Sequence, residues 1–311
     1  MISIVTITHN RRHFLPLAIE NFNRIKNHDI EWIILDDSYS SNQDLIPEDS
    51  KIKYIFLNLE QIKFFLNQSY DKIKEKTFAW KLWYRYHLKT KTLPVGMKRN
   101  IANHYSQGEI IVHYDDDDYY PMESLNIRLD GLKNFDCVYC SEISCYNLSE
   151  QTYFQKGEQN TISEATMAYY REKWKQYKFD NYDIESEGQS LVSKLNCNVI
   201  NSEQVIISIY HNNNTSIALN NNQIQPENKL TTSTIEKIKS FKDQTFCSQT
   251  QDLWILRDLF NYRKQLNYIS IFPLENYQQL LDNYEWKGLT INSTSDLKNS
   301  IKMIKQQNFP K

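Results

Sequence analysis

The chain predicts an α/β fold, a mostly parallel sheet covered by helices on both faces, and three observations lead there. Short apolar runs of strand length alternate with segments whose apolar residues recur at helical spacing. The alternation holds through roughly the first 135 residues. Polar clusters stand directly after three of the runs: Thr8-His9-Asn10-Arg11, Asp36-Asp37-Ser38 and Asp115 to Asp118. Open α/β sheets bind their ligands beyond the carboxyl ends of the strands, which is where these clusters fall.

The elements follow in order. Ile2 to Thr8 reads as a buried strand. A helix comes next, with Leu15, Ala18, Ile19, Phe22 and Ile25 on one face. Glu31 to Leu35 and Lys51 to Leu57 are the second and third strands. A basic, aromatic stretch from about Gln61 to Lys89 reads as helical, part of an insertion over about 60–93. Met97 to Tyr105 is a short helix with Met97, Ile101, Ala102 and Tyr105 in phase. Ile110 to Tyr114 is the fourth strand, and Met122 to Lys133 returns to helix. Beyond about residue 135 the pattern is mixed. Asp136 to Cys140 and Glu203 to Tyr210 read as strands, Glu172 to Tyr177 and Gln189 to Leu195 as helices. From about 221 the chain reads as polar linker and helices, the strongest being Asp252 to Gln265. The expected organisation is a main domain over 1–220, split near 135, and a helical extension over 221–311.

Composition excludes several functions. There are only 6 Gly in 311 residues, far below the ~7% usual in proteins. No two are spaced for G-x-G-x-x-G or G-x-x-x-x-G-K-[ST], so the dinucleotide fingerprint and the Walker A loop are both absent. The net charge of -2 gives no electrostatic case for nucleic acid. Five Cys, an odd number, fit a reducing compartment better than a disulfide framework. The segment Met1 to Val5 lacks the basic start and long apolar stretch of a signal peptide, and no run is long enough to span a bilayer. The expectation is a cytoplasmic protein, or one of a host-cell cytoplasm, with no integral membrane segment.

Four consecutive Asp at the end of Ile110-Ile111-Val112-His113-Tyr114 are electrostatically costly. A hard divalent cation, Mn²⁺ or Mg²⁺, would relieve the repulsion and bridge to phosphates. A solvated acidic turn is the simpler alternative. Lys81-Leu82-Trp83-Tyr84-Arg85-Tyr86-His87 mixes cations with rings. It suits sugar stacking, base stacking or a membrane interface, though helix packing is the plainer reading.

Several motifs, in this order, resemble those of family 2-type glycosyltransferases with the GT-A fold. Ile4 to Arg11 resembles the opening strand and its Asn-Arg. Ile33 to Ser38 resembles the second strand and its D-D-x-S turn. Gly96-Met97-Lys98-Arg99-Asn100 resembles G-x-x-R-N, and Tyr114 to Asp118 with Pro121 resembles the D-x-D strand end. Viral and collagen-modifying members look closest. The matching pieces lie within about residues 1–135.

The resemblance implies a nucleoside-diphosphate sugar donor, with UDP favoured, and a glycan, protein or other hydroxyl acceptor. It places Thr8, Asn10 and Arg11 at the nucleoside pocket, Asp36 or Asp37 on the base or ribose, and Lys98 and Arg99 on donor groups. Asp115 falls on the ribose side and Asp117 on the metal; the tetrad equally permits Asp116 with Asp118. His211, in His-Asn-Asn-Asn-Thr-Ser, resembles a late metal ligand, and imidazole suits Mn²⁺ beside carboxylates. The segment Asp183 to Gly188 resembles the one bearing the base, but Gly188 stands where the family has Asp. The acceptor hydroxyl must lose a proton. Glu187 is the first candidate to take it, with Glu185 and Asp183 behind. Inversion by direct displacement follows if the resemblance holds. Two alternatives are an inactive scaffold that keeps the fold, and a nucleotidyltransferase, which would want a Gly-rich loop that the chain lacks before Gly96. A homodimer is open.

Overall fold

The computed structural model describes residues 1–74, 78–159, 161–183, 186–211, 222–223, 230, 232–233 and 235–236. By internal contacts the chain divides into two units, Met1–Phe65 with Lys91–Phe246, and Leu66–Thr90 with Cys247–Lys311.

The first unit opens with strand β1 (Ile2–Thr8), helix α1 (Leu15–Ile25) and strand β2 (Ile30–Asp36). Strand β3 (Ile52–Phe56) follows a short 3-10 turn. Helix α1 carries Pro16 in its first turn, where the missing N–H costs nothing. It buries Leu15, Ala18, Phe22 and Ile25. Phe22 stacks on Trp32 at 4.8 Å between ring centroids, which locks the helix to the sheet. Helix α2 (Leu59–Asp71) and helix α3 (Phe78–Thr90) come next, so the basic aromatic stretch is two helices rather than one. Within the second unit, Tyr70 stacks on Tyr84 at 4.5 Å and the Tyr84 hydroxyl donates to Asn67.

Helix α4 (Val95–Tyr105) leads into strand β4 (Ile110–His113), a two-residue strand β5 (Asp118–Tyr119) and helix α5 (Ser124–Leu132). The remaining elements are β6 (Cys137–Cys140), β7 (Glu142–Asn147), β8 (Thr152–Gly157), β9 (Ser163–Tyr170), α6 (Arg171–Tyr177), α7 (Gly188–Val192), β10 (Cys197–Val199), β11 (Ile207–Tyr210) and β12 (Asn222–Gln223).

The strands form two sheets. The larger has the order β10-β6-β9-β4-β1-β2-β3. Its β1–β2, β1–β4, β2–β3 and β10–β6 pairs are parallel, and β9 alone runs against its neighbours. The mostly parallel α/β reading of the sequence is therefore met. Ile4, Val5, Ile33, Ile34, Ile111 and Val112 are wholly buried on both faces, as parallel strands covered by helices must be. The second sheet, β12-β8-β7-β11-β5, has its own small core of Phe14, Leu17, Tyr146, Leu148, Ile207, Ile209 and Leu230.

Differences from the sequence reading are local. Strands β7 and β8 carry Ser, Asn, Gln and Lys among their apolar residues, so no apolar run announces them. The expected strand Glu203–Tyr210 is shortened to Ile207–Tyr210 because residues 202–206 close turns, with Val205 N–H donating to Ser202 O at 2.8 Å. Asn222–Gln223, expected in a linker, pairs antiparallel with β8. The helix expected at Asp252 to Gln265 lies outside the described residues. Among the described residues no helix is long and apolar enough to cross a membrane.

Candidate active site

Parallel register brings the ends of β1, β2 and β3 level and ends β4 beside Val5 of β1. Thr8 pairs with Asp36, Asp36 with Phe56, and Val5 with His113. The polar clusters that follow β1, β2 and β4 therefore emerge on one edge of the sheet.

The β2 end is a folded turn. Asp36 is fully buried, and its carboxylate accepts from Ser38 N–H at 2.8 Å, Asn42 Nδ2 at 2.7 Å and the Tyr54 hydroxyl at 2.5 Å. Asp37 is also fully buried. It accepts from Lys98 Nζ at 2.8 Å, His9 Nδ1 at 3.1 Å, the Thr92 hydroxyl at 2.9 Å and Leu93 N–H at 2.8 Å. Burial alone would raise the Asp37 carboxyl, but Lys98 and His9 overcome it and hold the group well below the ordinary carboxylate range. Neither carboxylate offers an open edge; they organise the pocket wall. Asn10 sits at φ 54°, a left-handed conformation that Asn tolerates. There its N–H donates to Ser38 Oγ at 2.7 Å, and its side chain accepts from Tyr39 N–H at 2.9 Å.

The acidic tetrad is divided among different partners. Asp115, a quarter exposed, accepts from Arg99 Nη2 at 2.7 Å. Asp116 is fully buried and takes Arg11 Nη1 at 2.9 Å. Burial pushes its carboxyl up to about 7, aided by the charge of Asp117 and opposed by Arg11. Asp117 meets the same Arg11 nitrogen at 2.8 Å and His211 Nε2 at 3.0 Å. Burial works against its charge, but Arg11 and His211 hold it well below the ordinary range. Asp118 lies in β5 and accepts from Ile209 N–H of β11 at 3.2 Å, with Ser208 a second partner. Burial and the neighbouring Asp117 and Asp115 charges push it well above the ordinary range.

The predicted metal ligands thus separate. Asp117 and His211 converge, while Asp118 is engaged by β11. Among the described residues no group of three or more His, Cys, Asp or Glu is arranged to hold a metal. The physical reason is local: residue 118 has become a sheet residue, fixed by its ladder to β11. His211 also packs on Phe14, with centroids 4.4 Å apart, and burial lowers its pKa against the pull of Asp117.

Arg99 is 2% exposed and joins the two halves of the site. It donates through Nη2 to Asp115 and through Nε to Glu187 at 3.2 Å. Its third nitrogen, Nη1, is buried without a hydrogen-bond partner. Glu187 precedes α7 and is buried. Burial raises its carboxyl, Arg99 opposes, and Asp115 adds to the rise. Asp183 is buried close by in sequence, its C=O accepting from Gly96 N–H at 3.0 Å. Glu185 lies outside the described residues.

Two residues at the site escape the sequence reading. Tyr39 is 56% exposed, with its ring edge-on to His9 at 5.7 Å and Lys91 Nζ 5.5 Å from its centroid. Its place after Asp-Asp-Ser was an available signal. Glu164, from β9, had none; its carboxyl accepts from Gly188 N–H at 3.2 Å.

No protein-family model matches the chain, and no curated protein matches its sequence. Solved structures are similar to the chain only distantly. Residues 1–349 of S. aureus TarS in complex with UDP-GlcNAc superpose with a TM-score of 0.46 at 13% identity, covering 99% of this chain and 81% of that one. The mannosyltransferase PcManGT from Pyrobaculum calidifontis, in complex with GDP-Man and Mn²⁺, gives 0.37 at 11% identity, over 67% and 56%. The bifunctional IspDF from Campylobacter jejuni gives 0.37 at 10% identity, over 66% and 50%.

Proposed function

We propose that the protein is a glycosyltransferase that moves a sugar from a nucleoside-diphosphate sugar, a UDP-sugar first among them, to a hydroxyl acceptor with inversion. One observation carries the reading. A buried guanidinium, Arg99, is tied to a carboxylate on the donor side, Asp115, and to one placed as a base, Glu187. Its Nη1 is left without a partner. A buried guanidinium nitrogen of this kind is costly unless a ligand oxygen meets it, and phosphate is the ligand whose geometry suits it.

The exposed ring of Tyr39 gives a base a flat surface, and Asn10 and Arg11 border the same edge. Asp115 is the most open carboxylate of the tetrad and faces the ribose and sugar side. Asp117 and His211 are the residues that would hold Mn²⁺ or Mg²⁺. Two protein donors fit such a site, because these ions take much of their coordination from waters and substrate phosphates. When bound, the cation supplies neutralising charge for the departing diphosphate. Arg11 Nη1 also meets Asp117, at 2.8 Å. Glu187 takes the acceptor proton as the hydroxyl oxygen bonds to the anomeric carbon and the bond to the diphosphate oxygen breaks. Arg99 pairs with Glu187 and opposes the rise that burial imposes on its carboxyl.

The test is a panel of nucleotide sugars with Mn²⁺, followed by release of nucleoside diphosphate and by donor binding. Asp117→Ala is expected to remove the metal dependence of donor binding, and Glu187→Gln to keep donor binding while stopping transfer. Absence of both release and binding with every donor would refute the transferase. A Glu187→Gln variant with full rate would remove Glu187 as base.

A further inference from the structure

We propose that Glu164, from β9, is a positioning residue for the Glu187 base: a strand-borne carboxyl that fills the side-chain volume left open at Gly188 and ties the turn of the base to the sheet. The assignment of a role to Glu164 rests on the transferase reading of Glu187.

The geometry is specific. A Cβ placed on Gly188 would lie 2.9 Å from Glu164 Cγ, 3.2 Å from its Oε1 and 3.1 Å from Met167 Sδ. Real Cβ atoms do not approach so closely, so position 188 is glycine because Glu164 is already there. Oε1 in turn accepts the Gly188 N–H at 3.2 Å, one residue beyond the base. The other end of Glu164 is anchored as well. Its backbone carbonyl can only accept, so His113 Nδ1, 2.8 Å away, carries the hydrogen. Burial keeps that imidazole neutral, so His113 Nε2 accepts from the Tyr169 hydroxyl at 2.8 Å. Asn103 Nδ2 donates to the same hydroxyl at 2.8 Å. A buried chain from α4 through β4 and β9 therefore fixes Glu164, and Glu164 fixes the residue after the base.

The two carboxyls also act on each other through their charge. Burial, then the charge of Glu187, pushes Glu164 up to about 8, with Arg99 opposing. At neutral pH Glu164 holds its proton, while Arg99 pairs with Glu187 and opposes the rise that burial imposes on it. As pH rises through about 8, Glu164 loses its proton and a second negative charge arises beside the base. Repulsion then pushes the Gly188 turn from β9.

Glu164→Ala removes both the filling and the acceptor. It is expected to lower kcat by about 10²-fold, the order seen when a reacting group is displaced by about 1 Å, with little change in donor KM. Glu164→Gln keeps the shape and an acceptor for Gly188 N–H but cannot ionise. It is expected to recover most of the rate lost in the Ala variant at pH 7 and to lack the alkaline fall near 8. Glu164→Ala combined with Gly188→Asp returns a carboxyl to the same volume from the opposite backbone and is expected to recover rate over Glu164→Ala alone. Wild-type kcat in Glu164→Ala, or an unchanged alkaline fall in Glu164→Gln, would overturn the proposal. A readout without substrate separates it from the transferase reading. The infrared difference between wild type and Glu164→Gln at pH 7 is expected to show one protonated carboxyl lost. Without that band a protonated Glu164 is refuted, whatever the turnover. With the band present and no transfer from any donor, the transferase reading fails and the pair stands.

Discussion

Gly96→Ala sets two opposed effects against each other. Gly96 lies in the first turn of α4, the helix that carries Lys98 and Arg99. Its φ is not in the left-handed region, so backbone conformation does not require glycine. Helix propensity alone predicts that Ala stabilises this position by up to ~1 kcal/mol. Packing predicts the reverse. A Cβ there would stand 2.1 Å from Asp180 O and 3.2 Å from its carbonyl carbon, with Asp183 Cβ at 3.4 Å. The obstacle is backbone, so no rotamer change relieves it. Either α4 or the Asp180–Asp183 loop must move by about 1 Å to restore van der Waals distance, and overpacking of this kind costs ~1–3 kcal/mol. With a backbone obstacle at 2.1 Å the cost lies toward the upper end of that range, so packing wins and the expected net loss is ~2 kcal/mol. The same shift stretches the 3.0 Å bond from Gly96 N–H to Asp183 O. It also carries the segment before Glu187 away from Arg99. Urea unfolding of wild type and variant measures the first effect, and kcat at saturating donor the second, expected to fall ~10²-fold. A variant as stable as wild type or more so would refute the reasoning, because propensity would then have prevailed and the close approach to Asp180 would be soft.

Asp37→Asn is expected to destabilise by ~3–5 kcal/mol at pH 7, since Lys98 stays buried without its carboxylate. The Asp37 pKa is lowered on folding, so its contribution is present above the unfolded value near ~3.9 and lost as pH falls through the folded value. Acid unfolding followed by circular dichroism should therefore show a shallower acid loss in the variant. Arg99→Lys keeps the charge but not the fork that reaches both Asp115 and Glu187. Isothermal titration with the donor and single-turnover transfer should show weaker donor binding together with a rate at least ~10-fold lower. Arg128→Met should cost ~1–3 kcal/mol in thermal unfolding. Arg128 is fully buried and donates to His113 O at 2.7 Å, with its guanidinium 4.5 Å from the Tyr114 ring centroid. The variant leaves that carbonyl without its donor.

What was legible in the sequence divides along physical lines. The strands β1, β2, β3 and β4 are near-continuous apolar runs because both faces are buried, and each was found to within about two residues. The site edge was legible for the same reason, since polar residues that close a buried strand mark its end. Strands β7 and β8 belong to a sheet with mixed faces, and their Ser, Gln and Lys residues hide the period. Glu164 was invisible on different grounds. It is one Glu in an ordinary strand, and its importance comes from a volume vacated 24 residues later, at Gly188. Asp36 illustrates a limit of motif reading, since its carboxylate is taken up by Ser38, Asn42 and Tyr54 rather than turned to a ligand.

The acidic tetrad is the most instructive case, because the residue-level premise was sound and its consequence was incomplete. Four adjacent carboxylates do repel, and a divalent cation is one remedy. The fold supplies others. Arg99 takes Asp115, Arg11 bridges Asp116 and Asp117, and His211 reaches Asp117. Two of the buried carboxyls shift upward instead, Asp116 to about 7 and Asp118 well above the ordinary range. Charge relief is thus achieved by the chain's own groups, and repulsion alone does not call for a metal. The case for a cation rests instead on the convergence of Asp117 and His211, an oxygen and a nitrogen donor 3.0 Å apart. Since Arg11 already neutralises Asp117, a cation arriving with the donor must displace that contact. Metal affinity should therefore be weak for the free protein and rise when the diphosphate supplies the remaining oxygens. Calorimetric titration of Mn²⁺ into the protein, alone and with UDP, is expected to show at least ~10-fold tighter binding in the second case. Equal affinity in both would mean that Arg11, not a metal, carries the positive charge at this site.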